Sequence, residues 1–166
     1  MVIENDFLNK LEMQLANARK PEEKFQALNH LALGCRHLDF EKTQAYAQEA
    51  YDLATEHQSV SGISHALVNF AYVSYIRGKP EESLTHALEA IELARQHDIP
   101  TALVDGLDLL AINQYNAGDY TDAHESLTQA LQICEKIDAP QLLAHLLNDL
   151  AIVHLYSGDL ETAYET

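Results

Sequence analysis

Apolar residues recur every three or four positions along most of the chain, and these stripes come in pairs. Ala102, Leu103, Leu107, Leu110, Ala111 and Ile112 mark one wide helical face over 101–117. Ala123, Leu127, Ala130, Leu131, Ile133 and Cys134 mark a second over 120–137. Asn116-Ala117-Gly118-Asp119 separates them, with a glycine free to take the left-handed backbone that ends a helix and an aspartate placed to cap the next. Asp138-Ala139-Pro140 breaks the second stripe, and the proline suits the first turn of a new helix.

The pair repeats. Gly78, Gly118 and Gly158 are spaced 40 apart, as are Ala71, Ala111 and Ala151, and Leu53, Leu93 and Ile133. An earlier copy is degenerate: Leu38 stands at the glycine position, while Asp39 matches Asp119 and Asp159. A fixed period of this length means stacked helix pairs, each unable to bury its apolar face alone. The units fall at about 21–57, 61–97, 101–137 and 141–166, in a single all-α domain spanning 1–166. Residues 4–18, with Phe7, Leu8, Leu11, Met13, Leu15 and Ala18 as the apolar set, predict an extra helix covering the first unit. The expectation is seven complete helices plus a short eighth, and no strand. In the fourth unit, helix A over 141–156 is followed by only about two turns of its partner. The sequence therefore reads as part of a longer chain, with Leu146, Leu147, Leu150 and Leu155 short of cover and prone to self-association.

Composition agrees with helices: 25 Leu and 22 Ala against 6 Gly and 4 Pro in 166 residues. The charge narrows the partners. Asp and Glu total 26 against 10 Lys and Arg, a formal net charge of -16, and after Arg95 the one basic residue is Lys136. Such a surface repels phosphate backbones and anionic lipid, so neither nucleic acid nor membrane insertion is expected. There is no signal-peptide pattern and no apolar run of transmembrane length, which gives a cytoplasmic expectation. Cys35 and Cys134 read as buried free thiols.

The repeat resembles the tetratricopeptide repeat. The small residue on helix A is Ala71, Ala111 or Ala151, the turn is Gly118-Asp119-Tyr120 with variants at Gly78 and Gly158, and helix B carries Ala123, Leu127 and Ala130. The resemblance covers about 21–166 and implies a right-handed α-solenoid of antiparallel helix pairs. Family units usually run 34 residues, so 40 implies longer helices. Repeats of this length resemble sensor and regulatory segments of bacterial signalling proteins, which often precede a diguanylate cyclase, a histidine kinase or a transcription regulator.

The resemblance also implies a concave face lined by the A helices. Its groove positions fall on Asn69, Tyr72 and Tyr75 in unit two, with His65 and Val68 beside them. Unit three supplies Asp105, Asp108, Ile112 and Tyr115, with Leu109 and Asn116. Unit four supplies Asn148, Asp149 and Ile152, with His145 and Leu155. The A helices of units three and four hold no Lys or Arg, which argues against a clamp for acidic peptide termini. A neutral-to-basic protein or peptide segment is the expected partner, with homodimerisation as a further protein-partner reading. A small-ligand sensor is the alternative, favoured by a deep apolar pocket ringed by Tyr72, Tyr75, Asp108 and Tyr115. No HExxH, phosphate-binding glycine loop or nucleophile elbow occurs, and the nine histidines supply no readable metal-ligand set. No catalytic residue, metal or cofactor is expected in this segment.

Overall fold

The structure is a computed structural model and describes residues 2–137 and 139–158, with side chains from residue 6 onward. Among these residues there are eight α-helices and no strand. They are α1 (Val2–Asn17), α2 (Pro21–Cys35), α3 (Phe40–Glu56), α4 (Val60–Ile76), α5 (Pro80–Gln96), α6 (Pro100–Ala117), α7 (Tyr120–Cys134) and α8 (Pro140–Ser157). All run 15–18 residues, so the eighth is full length rather than short. It is helix A of unit four, and the partial helix expected after Gly158 lies outside the described residues. The fold is an all-α solenoid of tetratricopeptide-like helix pairs.

Each helix boundary follows from its local residues. Pro21, Pro80, Pro100 and Pro140 open their helices, where the missing N–H is not needed. Gly78, Gly118 and Gly158 close helix A of their units at φ of 69°, 89° and 88°. The B-to-A turns place Gln58 and Asp98 in the same left-handed region, at φ of 54° and 53°. Leu38 is handled differently: α2 stops at Cys35, and the chain turns on Leu38 N–H and Asp39 N–H bonds to the Cys35 carbonyl, with no left-handed residue. Capping corrects one expectation. Asp39 caps α3 by accepting from the Lys42 N–H, whereas the Asp119 side chain makes no capping bond to α7.

The packed pairs are neighbours along the chain, plus α2 with α4 and α4 with α6. The A helices α2, α4 and α6 thus form an inner row, which α8 continues through the contact of His145 with Asp108 of α6, and α3, α5 and α7 form an outer one. Ala47, Ala50 and Ala54 on α3, and Ala87, Ala90 and Ala94 on α5, are wholly buried. These small residues let the A helices come close. A Cβ on Gly62 of α4 would stand 2.6 Å from Ala54 Cβ and 2.8 Å from Phe25 Cδ2. Larger residues fill the remaining space: Phe25, Leu28, Leu109, Leu127 and Leu146 are buried, each worth about 1.5–3 kcal/mol relative to exposure. Helix α1 docks on α2 through Leu8, Leu11 and Leu15, but Phe7 and Met13 of its expected apolar set are exposed. The leucines of α8 also divide. Leu146 and Leu150 are buried in the cluster with α6 and α7, Leu147 is half-buried, and only Leu155 is exposed. Burial of Leu146 and Leu150 corrects that expectation for these two residues, which pack into the cluster with α6 and α7.

Candidate functional site

The inner row of helices carries two adjoining cavities. One, of about 340 Å³, is lined by Tyr72 and Tyr75 of α4, Ile112 and Tyr115 of α6, and Asp149 and Ile152 of α8, among others. The other, of about 410 Å³, is lined mainly by polar residue types, among them Asn29 of α2, Arg36 at the C-terminal cap of α2, His65 and Asn69 of α4, and Asp105 of α6. His145 of α8 borders both. These side chains meet because the 40-residue period returns each A helix to the same face.

Eight of the ten principal sequence-derived positions line this groove, namely Asn69, Tyr72, Tyr75, Asp105, Ile112, Tyr115, Asp149 and Ile152, and His65, Asn116 and His145, named beside them, line it too. Asp108 does not stand on a solvated wall. It is 4% exposed and lies beneath His145, whose Nε2 is 3.3 Å from Asp108 Oδ2. Asn148 is exposed, lines neither cavity and donates to Asp149 Oδ1 at 3.2 Å. Val68 and Leu109 are core residues rather than groove residues. Tyr72, Tyr75 and Tyr115 border the apolar cavity as the small-ligand reading expects, but Asp108 does not.

Unit one supplies what the repeat register missed. Arg36 donates from Nε to Asn69 Oδ1 at 3.1 Å, and its guanidinium carbon sits 5.1 Å from the centre of the Tyr72 ring. Asn69 in turn donates to the Asn29 side chain and carbonyl at 3.4 Å, and Asn29 donates to the Gly62 carbonyl at 3.1 Å. His37 shares a hydrogen bond with the Tyr72 hydroxyl at 3.0 Å. The signal was present, since 40 positions separate Asn29 from Asn69. The degenerate turn at Leu38 obscured it.

The electrostatics are mixed rather than uniformly acidic. Burial pulls Arg36 below the ordinary arginine value, while the charges of Asp105 and Asp108 oppose that shift. Burial pushes Asp105 up, against the attraction of Arg36. The Asp108 hydrogen bond raises His145 to about 9. Asp149 rises to about 6, first through desolvation and then through the charge of Asp108. The arrangement offers hydrogen-bonding groups and two signs of charge beside a tyrosine-lined apolar hollow. Among the described residues, no helix is long and apolar enough to cross a membrane.

The family model described as anaphase-promoting complex subunit 5 matches residues 17–104 and 109–166. No curated protein matches the chain. Among solved structures, a Rap protein complexed with Competence and Sporulation Factor is similar at a TM-score of 0.81 and 22% identity, over 96% of this chain and 45% of that one. Aspartyl phosphate phosphatase F from Bacillus subtilis is similar at 0.72 and 18%, over 96% and 42%. PlcR of Bacillus thuringiensis, in complex with a peptide and DNA, is similar at 0.73 and 14%, over 98% and 61%. The chain spans less than two thirds of the length of each of these three proteins. At these identities the likeness is one of fold.

Proposed function

The chain belongs to the tetratricopeptide-like repeat family of the anaphase-promoting complex subunit 5 model, and from that premise we propose that it is a protein-interaction and regulatory segment of a bacterial signalling protein. Its groove receives a neutral-to-basic peptide or protein segment. The observation that carries this reading is the pairing of the two cavities: a tyrosine-walled hollow beside a channel lined mainly by polar residue types, both built by the inner helices. A hollow of about 340 Å³ takes an aliphatic or aromatic anchor, and the channel offers Asn29 and Asn69 to a peptide backbone. Asp105 and Asp149 are balanced locally by Arg36 and His145, so the preference for a cationic segment rests on the chain's formal net charge of -16, which speeds its encounter. A Rap protein and PlcR, similar in fold, were each solved with a peptide or protein factor bound, which supports a peptide or protein partner. The bound segment would act on an output domain such as a diguanylate cyclase, a histidine kinase or a transcription regulator.

The test is fluorescence anisotropy with an arrayed peptide library of varied charge, repeated on Ile112→Asp and Asp105→Asn. Binding should favour basic peptides with one large apolar residue, fall sharply in Ile112→Asp, and weaken with salt in the unaltered chain. Tight binding of acidic peptides, or affinity unchanged by Ile112→Asp, would overturn the reading. The hollow also has the volume of a small-molecule pocket and three tyrosines on its wall, which favours a metabolite sensor as the second reading. A metabolite that raises thermal stability in the unaltered chain but not in Ile112→Asp would select it.

A further inference from the structure

We infer that Asp108, His145 and Asp149 form a binding site for one divalent metal ion of the zinc class. One ligand atom from each of the three lies within 4.8 Å of the others. His145 Nε2 stands 3.3 Å from Asp108 Oδ2 and 3.6 Å from Asp149 Oδ2. Zinc held at about 2.0–2.1 Å in tetrahedral geometry separates its ligands by about 3.4 Å. Both histidine–carboxylate edges already have that separation.

The scaffold holds the three groups on two helices. His145 and Asp149 are one turn apart on α8, so they project from the same side, and Asp108 comes from α6. Asp108 is the anchor. Its side chain is 5% exposed, and its second oxygen, Oδ1, is buried with no hydrogen-bond partner. A buried carboxylate oxygen left unpaired is costly, and an ion on the same carboxylate relieves that cost. One imidazole and two carboxylates suit zinc or manganese rather than thiolate-seeking copper(I). His145 and Asp149 also border the apolar cavity, which leaves the ion an entry path and an open coordination position. The facing charges are Arg36 at the C-terminal cap of α2, which opposes a cation, and Asp105 from α6, which offsets it; His65 of α4 lies on the same channel. The inference stands on this geometry whether or not a peptide enters the groove.

The experiment uses the 166-residue chain, treated with chelator and titrated calorimetrically with Zn²⁺, Mn²⁺, Mg²⁺ and Ca²⁺. Co²⁺ absorption in the visible then reports the coordination geometry. One Zn²⁺ per chain and a tetrahedral Co²⁺ spectrum are expected. His145→Gln alters a half-exposed side chain and Asp149→Asn a mostly covered one, and each should weaken zinc by more than about tenfold, the loss seen even for outer partners of metal ligands. Asp108→Asn is read only if its helical circular dichroism matches the parent. A competing histidine pair exists at His124 and His154, whose ring centroids are 5.0 Å apart. His124→Gln should leave zinc affinity unchanged. No zinc binding up to millimolar concentration would overturn the inference. So would binding lost in His124→Gln but kept in His145→Gln, or a preference for Mg²⁺ or Ca²⁺ over Zn²⁺.

Discussion

Arg36 Nε and Asn69 Oδ1 meet at 3.1 Å, and that one bond joins the first repeat to the second through the floor of the groove. Asn69 passes the connection on to Asn29, and Asn29 passes it to the Gly62 carbonyl. A polar chain inside a helix stack is stable only while each member keeps its partner.

Removing the guanidinium breaks that condition. Arg36→Ala should cost about 1.5–3 kcal/mol, the range for hydrogen bonds to charged groups. Arg36→Lys should recover only part of it, because an ammonium cannot reproduce the planar fork that stacks on Tyr72. Urea unfolding of the three proteins, followed by circular dichroism, checks both statements.

Gly62, in the first turn of α4, and Gly106, inside α6, should respond unequally to alanine. At Gly62 the new Cβ meets Ala54 Cβ at 2.6 Å, a backbone-anchored atom that cannot swing away. Gly62→Ala should lose about 1–3 kcal/mol, as overpacked cores do. At Gly106 the one close atom is Ile91 Cγ1 at 2.9 Å, and the next nearest stands at 3.6 Å, so a small shift of a single side chain makes room. Gly106→Ala should stay within about 1 kcal/mol of the parent, since the gain in helix propensity offsets the crowding. Thermal denaturation of the pair, side by side, decides the matter.

His145 in the metal-free chain should titrate near 9, against an ordinary value of 6.5. A histidine raised on folding contributes stability that is complete below about 6.5 and is lost as pH climbs through about 9. Asp149 has the same sign but acts at lower pH, its contribution being lost as pH climbs from the ordinary 3.8 through its folded value of about 6, so the neutral-to-alkaline change belongs to His145. The urea midpoint should therefore fall on going from neutral to alkaline pH. Nuclear magnetic resonance of the imidazole in Asp108→Asn should return the His145 midpoint toward 6.5.

Cys35 and Cys134 are buried free thiols, and burial pushes both above the ordinary thiol value. Iodoacetamide should label neither at neutral pH in the folded protein, and both in urea. Rapid labelling without denaturant would show that the α2 and α7 ends open on their own.

The helices, their turns and eight groove residues were legible because one physical rule, apolar periodicity interrupted by Gly and Pro every 40 residues, generates all of them. The parts that were not legible depend on distance between repeats. Asp108 looks like any polar residue on an amphipathic helix; only the arrival of His145 from α8 shows that it is buried and paired. Arg36 belongs to the repeat whose turn lacks glycine, so the register was not carried back to it. Asp119 occupies a capping position by sequence, yet makes no capping bond, because side-chain rotamer is not written in the spacing.

The neighbour-only packing of the helices also sets how the chain assembles. No packed pair is separated by more than one intervening helix, so no long loop has to close before a contact forms. Chains of such low contact order fold fast. During synthesis, α2 and α3 can pair while α6 is still unmade, and each later helix docks on a surface already in place. The groove residues, drawn from four A helices, are then the last feature to be completed: the hollow acquires its final wall only when α8 settles against α7.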